Sequence, residues 1–119
     1  MARFLSILVV EDDTAVRDVL IRVLSEHGLG VLTAGDGYDA VRILADRHVD
    51  VLFTDIILPG MDGVQLAKQA KLMHPGLKVL FETGYANLAT TRDAIRFGQV
   101  LYKPLRAHEV IQAIESLAA

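Results

Sequence analysis

Five short apolar runs alternate along this chain with segments whose apolar residues repeat at helical spacing. The apolar runs lie at residues 5–10, 30–34, 50–55, 78–83 and 100–103. The helical patterns lie at residues 14–27, 38–47, 64–73, 88–97 and 107–117. Five strand–helix units in succession predict an α/β fold with a parallel sheet and helices on both of its faces. The near-continuous apolar character of the runs is typical of strands that are covered on both faces.

The composition excludes several kinds of protein. The chain has 119 residues and no repeat or linker, so we expect a single domain over residues 1–119. It has 12 basic and 15 acidic residues and no basic run, which argues against DNA binding because phosphate neutralisation needs clustered cations. The absence of cysteine excludes disulfides, thiol catalysis and cysteine-ligated zinc.

The hydropathy pattern gives no sign of membrane insertion. No apolar stretch approaches the eighteen or so residues of a membrane-spanning helix. The N-terminal apolar run ends at Glu11-Asp12-Asp13, too early for a signal peptide with a cleavage site. We therefore expect a cytoplasmic protein with no membrane contact.

Polar groups stand at the carboxyl ends of four of the five apolar runs. Glu11 and Asp12 follow the first run, Asp55 ends the third, Thr83 ends the fourth and Lys103 ends the fifth. In an open parallel sheet these ends meet at one edge, where such folds place their binding sites. We therefore expect carboxylates, a hydroxyl and an ammonium group to converge on Asp55, although they are scattered through the sequence.

These residues, with the loop Leu58-Pro59-Gly60-Met61-Asp62-Gly63 and the pairs Thr83-Gly84 and Lys103-Pro104, resemble the receiver domains of two-component response regulators, the CheY-like family. The order and spacing of the motifs match the family across essentially the whole chain. The resemblance implies a flavodoxin-like (βα)5 fold, which is a doubly wound parallel sheet with strand order 2-1-3-4-5.

The resemblance also implies roles for the clustered residues. Asp55 would be the phosphoacceptor, and Mg²⁺ would be held by Glu11, Asp12, Asp55 and the backbone carbonyl of Ile57. Thr83 and Lys103 would bind phosphoryl oxygens. Carboxylates suit a hard divalent cation, and phosphoryl transfer needs mainly positioning and charge compensation. Such a protein phosphorylates and dephosphorylates itself and is not an enzyme acting on other molecules.

Each of these residues also has a plainer interpretation. Glu11-Asp12-Asp13 could serve only the start of the first helix, where Asp13 or Thr14 can cap the free amides. Thr83 could be an ordinary turn residue at a strand end. Lys103-Pro104 could be a solvated loop, and the sequence does not tell whether this peptide is cis, as it often is in the family.

The chain departs from the family pattern in two respects. Receiver domains usually have Tyr or Phe three residues before the conserved lysine, and this chain has Val100 there. We therefore hypothesise that activation does not use the usual aromatic movement, and that Tyr85 or Tyr102 could substitute. The positions two after the acceptor and two after the threonine are Ile57 and Tyr85, which cannot orient water well. We predict slow self-dephosphorylation.

The leading hypothesis for function is a stand-alone receiver that is phosphorylated by a sensor histidine kinase or a histidine phosphotransfer protein. The partner would dock near the first helix. Phosphorylation would change the surface of the fourth helix, fifth strand and fifth helix (the α4-β5-α5 surface of the family), which would bind a downstream target protein or form a homodimer.

Two other functions compete with this one. A phosphate-independent pseudo-receiver that only binds partners is favoured by Val100 and opposed by the complete set of site residues. A flavodoxin-like FMN binder shares the fold, but this chain has three acids where a phosphate loop would be. The segment from Gly35 to Ala40 matches a dinucleotide-binding fingerprint, yet it follows the second strand and contains Asp36 and Asp39, so a tight turn is the better interpretation.

Overall fold

Strands and helices alternate strictly along the chain, as the periodicity predicts. The computed structural model describes residues 5–84 and 89–118. The strands are β1 Ser6–Val10, β2 Gly30–Ala34, β3 Val51–Asp55, β4 Lys78–Thr83 and β5 Gln99–Tyr102. The helices are α1 Thr14–Glu26, α2 Gly37–Asp46, α3 Gly63–Met73, α4 Ala89–Ala94 and α5 Ala107–Ala118. Within those described ranges, every helix is too short and too polar to cross a bilayer.

The five strands form one parallel sheet in the order β2-β1-β3-β4-β5, which confirms the predicted fold. The chain enters the sheet at β1, adds β2 on one side, and then crosses to the other side for β3, β4 and β5. The strand order therefore reverses between β1 and β3. A crevice opens at the carboxyl ends of the strands at such a point, and ligands of open α/β sheets bind there.

Each face of the sheet buries its own apolar cluster, because successive side chains of a strand point to opposite faces. One cluster joins the sheet to α2, α3 and α4, and its strand residues include Leu8, Leu52 and Phe81. The other joins the sheet to α1 and α5, and includes Phe53 and Leu80. The sheet is thus covered on both sides, which explains why its strands read as apolar runs.

Aspartates start three of the helices. Asp13 accepts hydrogen bonds from the amides of Ala15 and Val16, so Asp13 rather than Thr14 caps α1. Asp36 caps α2 in the same way. Asp62 forms a reciprocal capping box with Gln65 at the start of α3. These caps end the loops at defined residues, and the loop before α3 is one that borders the crevice.

Gly63 brings α3 unusually close to β3. A Cβ atom on Gly63 would lie 2.2 Å from the carbonyl oxygen of Asp55, which is backbone and cannot rotate away. The amide of Gly63 donates to the carbonyl of Ile56 at 2.7 Å. The first turn of α3 therefore rests directly on the end of β3, and only glycine leaves room for this approach.

His74 ties α3 to α2. Its Nε2 donates to the carbonyl oxygen of Leu44 at 2.6 Å, and the side chain is half-buried. This contact could not be predicted from the sequence, since the position of His74 after a helical pattern is typical of a solvated residue. The bond satisfies a carbonyl in the last turn of α2 that has no partner within its own helix.

Candidate functional site

The strand register places three carboxylates side by side at the crevice. Asp55 at the end of β3 is the direct partner of Glu82 on β4. On the other side, Val10 of β1 pairs with Thr54, so the next residue along β1, Glu11, is adjacent to Asp55. Neighbouring residues in a parallel register point to the same face of the sheet, so the three side chains share one face.

These carboxylates form a buried acidic cluster, defined here as Glu11, Asp55 and Glu82. One oxygen of each residue lies within 4.8 Å of an oxygen of each of the others. Their residues are only 3%, 7% and 2% exposed, respectively. Asp12, which the sequence places with Glu11 in the metal site, is exposed and is not part of this buried group. The structure therefore brings Glu11 and Asp55 together and adds Glu82.

Asp55 is held at both of its carboxylate oxygens. Its Oδ1 accepts a hydrogen bond from the amide of Ile57 at 3.0 Å, and its Oδ2 accepts one from Nζ of Lys103 at 2.6 Å. Burial acts to lower the pKa of Lys103, but the hydrogen bond with Asp55 and the charges of Asp55, Glu82 and Glu11 raise that pKa above its ordinary value overall. Lys103 therefore stays a cation beside the acids.

Thr83 and Lys103 are connected through the backbone. The amide of Lys103 donates to the carbonyl of Thr83 at 2.8 Å, and Thr83 is fully buried. The peptide bond between Lys103 and Pro104 is cis. The ends of β4 and β5 are thus joined at the crevice, and both predicted phosphoryl-binding residues lie at this junction.

Glu11 and Glu82 face each other without a donor between them. Among the residues that the structure describes, none donates to Oε2 of either side chain, although both atoms are buried. Burial raises the pKa of Glu82 to about 8, and the neighbouring carboxylate of Glu11 acts in the same direction. A proton on Glu82 would let it donate to Glu11, which relieves the repulsion between two buried carboxylates.

Glu82 is the site residue that the sequence did not predict. It lies inside the run Val79-Leu80-Phe81-Glu82-Thr83, one residue before the polar residue that ends the strand. A usable signal was present, because an acid in a strand buried on both faces needs a partner. The alternation of faces would also have placed Glu82 with Leu80, on the side that faces α1 and α5.

The structure describes two of the positions that depart from the family pattern, Val100 and Ile57. Val100 is half-buried and packs against the apolar cluster shared with α4, while Tyr102 is 47% exposed. The side chain of Ile57 is 46% exposed next to Asp55. Tyr85 lies outside the described residues, so its predicted roles in shielding and switching stay predictions.

The donor set of the cluster suits a hard divalent cation. Carboxylate oxygens are the ligands that Mg²⁺ and Ca²⁺ prefer. The unpartnered oxygens of Glu11 and Glu82 also need a positive partner or a proton. Asp55, Glu11 and the exposed Asp12 could hold such an ion from the ends of two adjacent strands. An ion there would compensate negative charge next to a carboxylate that Lys103 already orients.

Sequence comparison relates this chain to response regulator receiver domains. The family model for the response regulator receiver domain matches residues 7–115. The chain is 36% identical over 113 residues to the response regulator receiver protein CpdR of Brucella abortus, covering 93% of this chain and 94% of that protein. It is 38% identical over 109 residues to the DNA-binding transcriptional regulator NtrC of Escherichia coli, covering 90% of this chain but only 23% of NtrC.

A solved structure agrees with these sequence relatives. The receiver domain protein (CheY-like) of Methanospirillum hungatei superposes with a TM-score of 0.90 at 28% identity, over 98% of this chain and 95% of that one. The superposition covers the strands and helices that build the crevice. The family match, the relatives and the fold therefore agree, and the chain belongs to the response regulator receiver domain family of two-component systems.

Proposed function

We propose that this chain is a phosphoryl-accepting receiver in which Asp55 is the acceptor and a divalent cation, Mg²⁺, is the cofactor. The observation that carries the proposal is the contact of Lys103 with Asp55 inside a cluster of buried acids at the carboxyl edge of the sheet. An isolated Lys–Asp pair would serve stability. A pair next to two further carboxylates has an excess of negative charge that fits a cation and then a phosphoryl group.

The proposed chemistry is a single phosphoryl transfer. A carboxylate oxygen of Asp55 forms a bond to phosphorus, while the bond from phosphorus to the donor breaks and its electron pair leaves with the donor. Lys103 and Thr83 hold two phosphoryl oxygens as charge shifts between donor and acceptor. The bound cation supplies compensation for the charge that this group brings next to Glu11 and Asp12.

The proposed partners follow from the family and from the site. A sensor histidine kinase or a histidine phosphotransfer protein would supply the phosphoryl group, docking at α1 beside the crevice. α1 presents the exposed apolar side chains of Val16 and Val19. The proposed output is a change in the surface of α4, β5 and α5 that binds a target protein or a second copy. In this role the chain acts as one receiver domain and is not an enzyme for other substrates.

Acetyl phosphate tests this function directly. After incubation with Mg²⁺ and acetyl phosphate, intact-mass spectrometry is expected to show one added phosphoryl group on the wild-type chain. The addition should disappear with EDTA and in the Asp55→Asn variant, because the amide is not a nucleophile. Glu115→Gln removes a carboxylate from the exposed face of α5 and should phosphorylate normally. No mass gain with any phosphodonor would contradict the proposal and favour a phosphate-independent binding module.

Ile57 allows a prediction about the lifetime of the phosphorylated state. Its side chain is apolar and exposed, and its amide donates to Oδ1 of Asp55, so we infer that it shields the phosphoryl group without orienting water. The Ile57→Asn variant is expected to lose its phosphoryl group faster, by about fivefold to tenfold or roughly 1 kcal/mol of barrier. The decay of the phosphorylated mass after removal of acetyl phosphate measures this rate. Leu72→Asn changes an exposed apolar residue on α3 and is the matched control; a decay no faster in Ile57→Asn than in that control would refute the shielding role.

A further inference from the structure

Glu82 is a buried acid that the family pattern does not assign to any role. It is 2% exposed, lies near the carboxyl end of β4, and is the register partner of Asp55. Its backbone carbonyl accepts a hydrogen bond from the amide of Ile56 at 3.0 Å, and this bond holds the ends of β3 and β4 together. The position of Glu82 is thus set by the sheet itself and does not depend on a mobile loop.

The side chain of Glu82 points into the acidic cluster with an oxygen that has no donor. Its Oε2 is buried and unpartnered among the described residues, and so is Oε2 of Glu11 opposite it. A carboxylate in this situation is stabilised either by a proton or by a cation. Lys103 is already engaged with Oδ2 of Asp55 at 2.6 Å. A divalent cation is the partner that could satisfy Glu11, Asp55 and Glu82 together.

The spacing of the cluster agrees with a cation shell. Two oxygens that bind the same cation are farthest apart when they lie on opposite sides of it. With ligand distances of roughly 2.1 Å for Mg²⁺ and 2.4 Å for Ca²⁺, this largest separation is about 4.2 Å and about 4.8 Å, respectively. The oxygens of Glu11, Asp55 and Glu82 all lie within 4.8 Å of one another. We propose that Glu82 is an additional direct ligand of the divalent cation, contributed by β4 beyond the acids at the ends of β1 and β3.

This inference rests on the proposed function, because both require a divalent cation at the crevice. The inference goes further than the proposed function because it adds a ligand from a third strand, β4. Affinity for hard cations rises with the number of charged oxygen ligands. A site that includes Glu82 would therefore bind its cation more tightly than the acids of β1 and β3 could by themselves. Such a site would also leave one coordination position fewer for water on the cation.

Calorimetric titration of the metal-free chain with Mg²⁺ tests this role. Glu82→Gln is expected to weaken binding by about tenfold or more, since it removes one carboxylate ligand. Glu82→Asp keeps the charge but withdraws the oxygen by one methylene, so it should also bind clearly more weakly than wild type. Glu115→Gln removes the same charge from an exposed position on α5 and should bind as wild type does. Circular dichroism verifies that each variant is folded.

Coordinated water gives a second readout that does not depend on affinity. With saturating Mn²⁺ as the probe, water proton relaxation should report one more exchangeable water on the ion in Glu82→Ala than in wild type, because alanine offers no oxygen and water fills the vacated position. Binding by Glu82→Gln within about twofold of wild type, with no added water in Glu82→Ala, would overturn the inference. So would wild-type affinity in Glu82→Asp, because Glu82 would then act through its charge alone.

Asp12→Asn and Asp55→Asn separate this inference from the proposed function. If both weaken Mg²⁺ binding while Glu82→Gln does not, the receiver site stands and only the role of Glu82 is overturned. If wild type shows no saturable Mg²⁺ binding, both the cation site and the role of Glu82 are overturned.

Discussion

Replacing Gly63 by alanine is expected to lower the free energy of unfolding by about 3 kcal/mol and the melting temperature by about 10 °C. A Cβ atom there would lie 2.2 Å from the carbonyl oxygen of Asp55 and 2.9 Å from Cα of Ile56. Both are backbone atoms, so the strain can be relieved only if α3 or the end of β3 moves. Because Asp55 itself would shift, phosphorylation by acetyl phosphate should slow as well.

Gly76 provides the matched control for this substitution. A Cβ atom on Gly76 would meet no atom of the described residues within 4 Å, and its φ is not positive. Gly76→Ala should therefore leave stability unchanged or raise it by up to about 1 kcal/mol through the unfolded chain. Urea unfolding followed by circular dichroism compares the two variants. Equal stabilities would show that α3 does not rest on β3 as closely as the structure indicates.

The stability of the metal-free chain is expected to fall as pH rises from about 5 to 8, and Glu82→Gln should remove much of that fall. Burial first, and then the neighbouring Glu11, raises the pKa of Glu82 from its ordinary value of 4.5 to about 8 in the folded chain. Between these values the folded state keeps a proton that the unfolded state has released. Stability then decreases with pH, by up to about 1.4 kcal/mol per pH unit.

Urea unfolding in EDTA at pH 5.5, 6.5 and 7.5 measures this slope. EDTA keeps the site free of metal, so that only protons compensate the acids. Glutamine resembles the protonated side chain in shape and does not titrate, so the variant should be more stable than wild type at pH 7.5 and nearly equal at pH 5.5. Glu115→Gln should keep the wild-type slope. Parallel slopes for wild type and Glu82→Gln would mean that Glu82 is ionised throughout.

The fold could be predicted from the sequence because its signals are local and repeated. Five apolar runs separated by helical periodicity leave few arrangements, and a strand buried on both faces differs clearly from an amphipathic helix. The predicted bounds of the strands and helices agree with the observed bounds within about three residues. α4 differs most, since it ends at Ala94 where the pattern continues to 97, and its predicted start at 88 lies outside the described residues.

The site could be predicted only as far as strand ends indicate it. Asp55, Thr83, Lys103 and Glu11 each stand at or just after the carboxyl end of a strand, and the topology gathers them. The burial of Glu11 against the exposure of Asp12 could not be predicted, because adjacent residues beyond a strand end have no fixed face. The sequence shows Glu82 as an acid in a buried strand that needs a partner. It does not show which partner, because Glu11 and Asp55 lie on other strands and only the strand register brings them together.

The hydrogen bond between the amide of Lys103 and the carbonyl of Thr83 has a consequence for how a phosphorylated state could be relayed. In many proteins a signal must cross a long series of contacts before it reaches the responding surface. Here Thr83 and Lys103, the two residues proposed to bind the phosphoryl oxygens, share a backbone hydrogen bond. Along the chain, Thr83 precedes the segment before α4, and Lys103 precedes Pro104 and α5. Through this bond a shift of Thr83 or of Lys103 pulls on the other residue, so the two proposed phosphoryl-binding groups are coupled along the backbone.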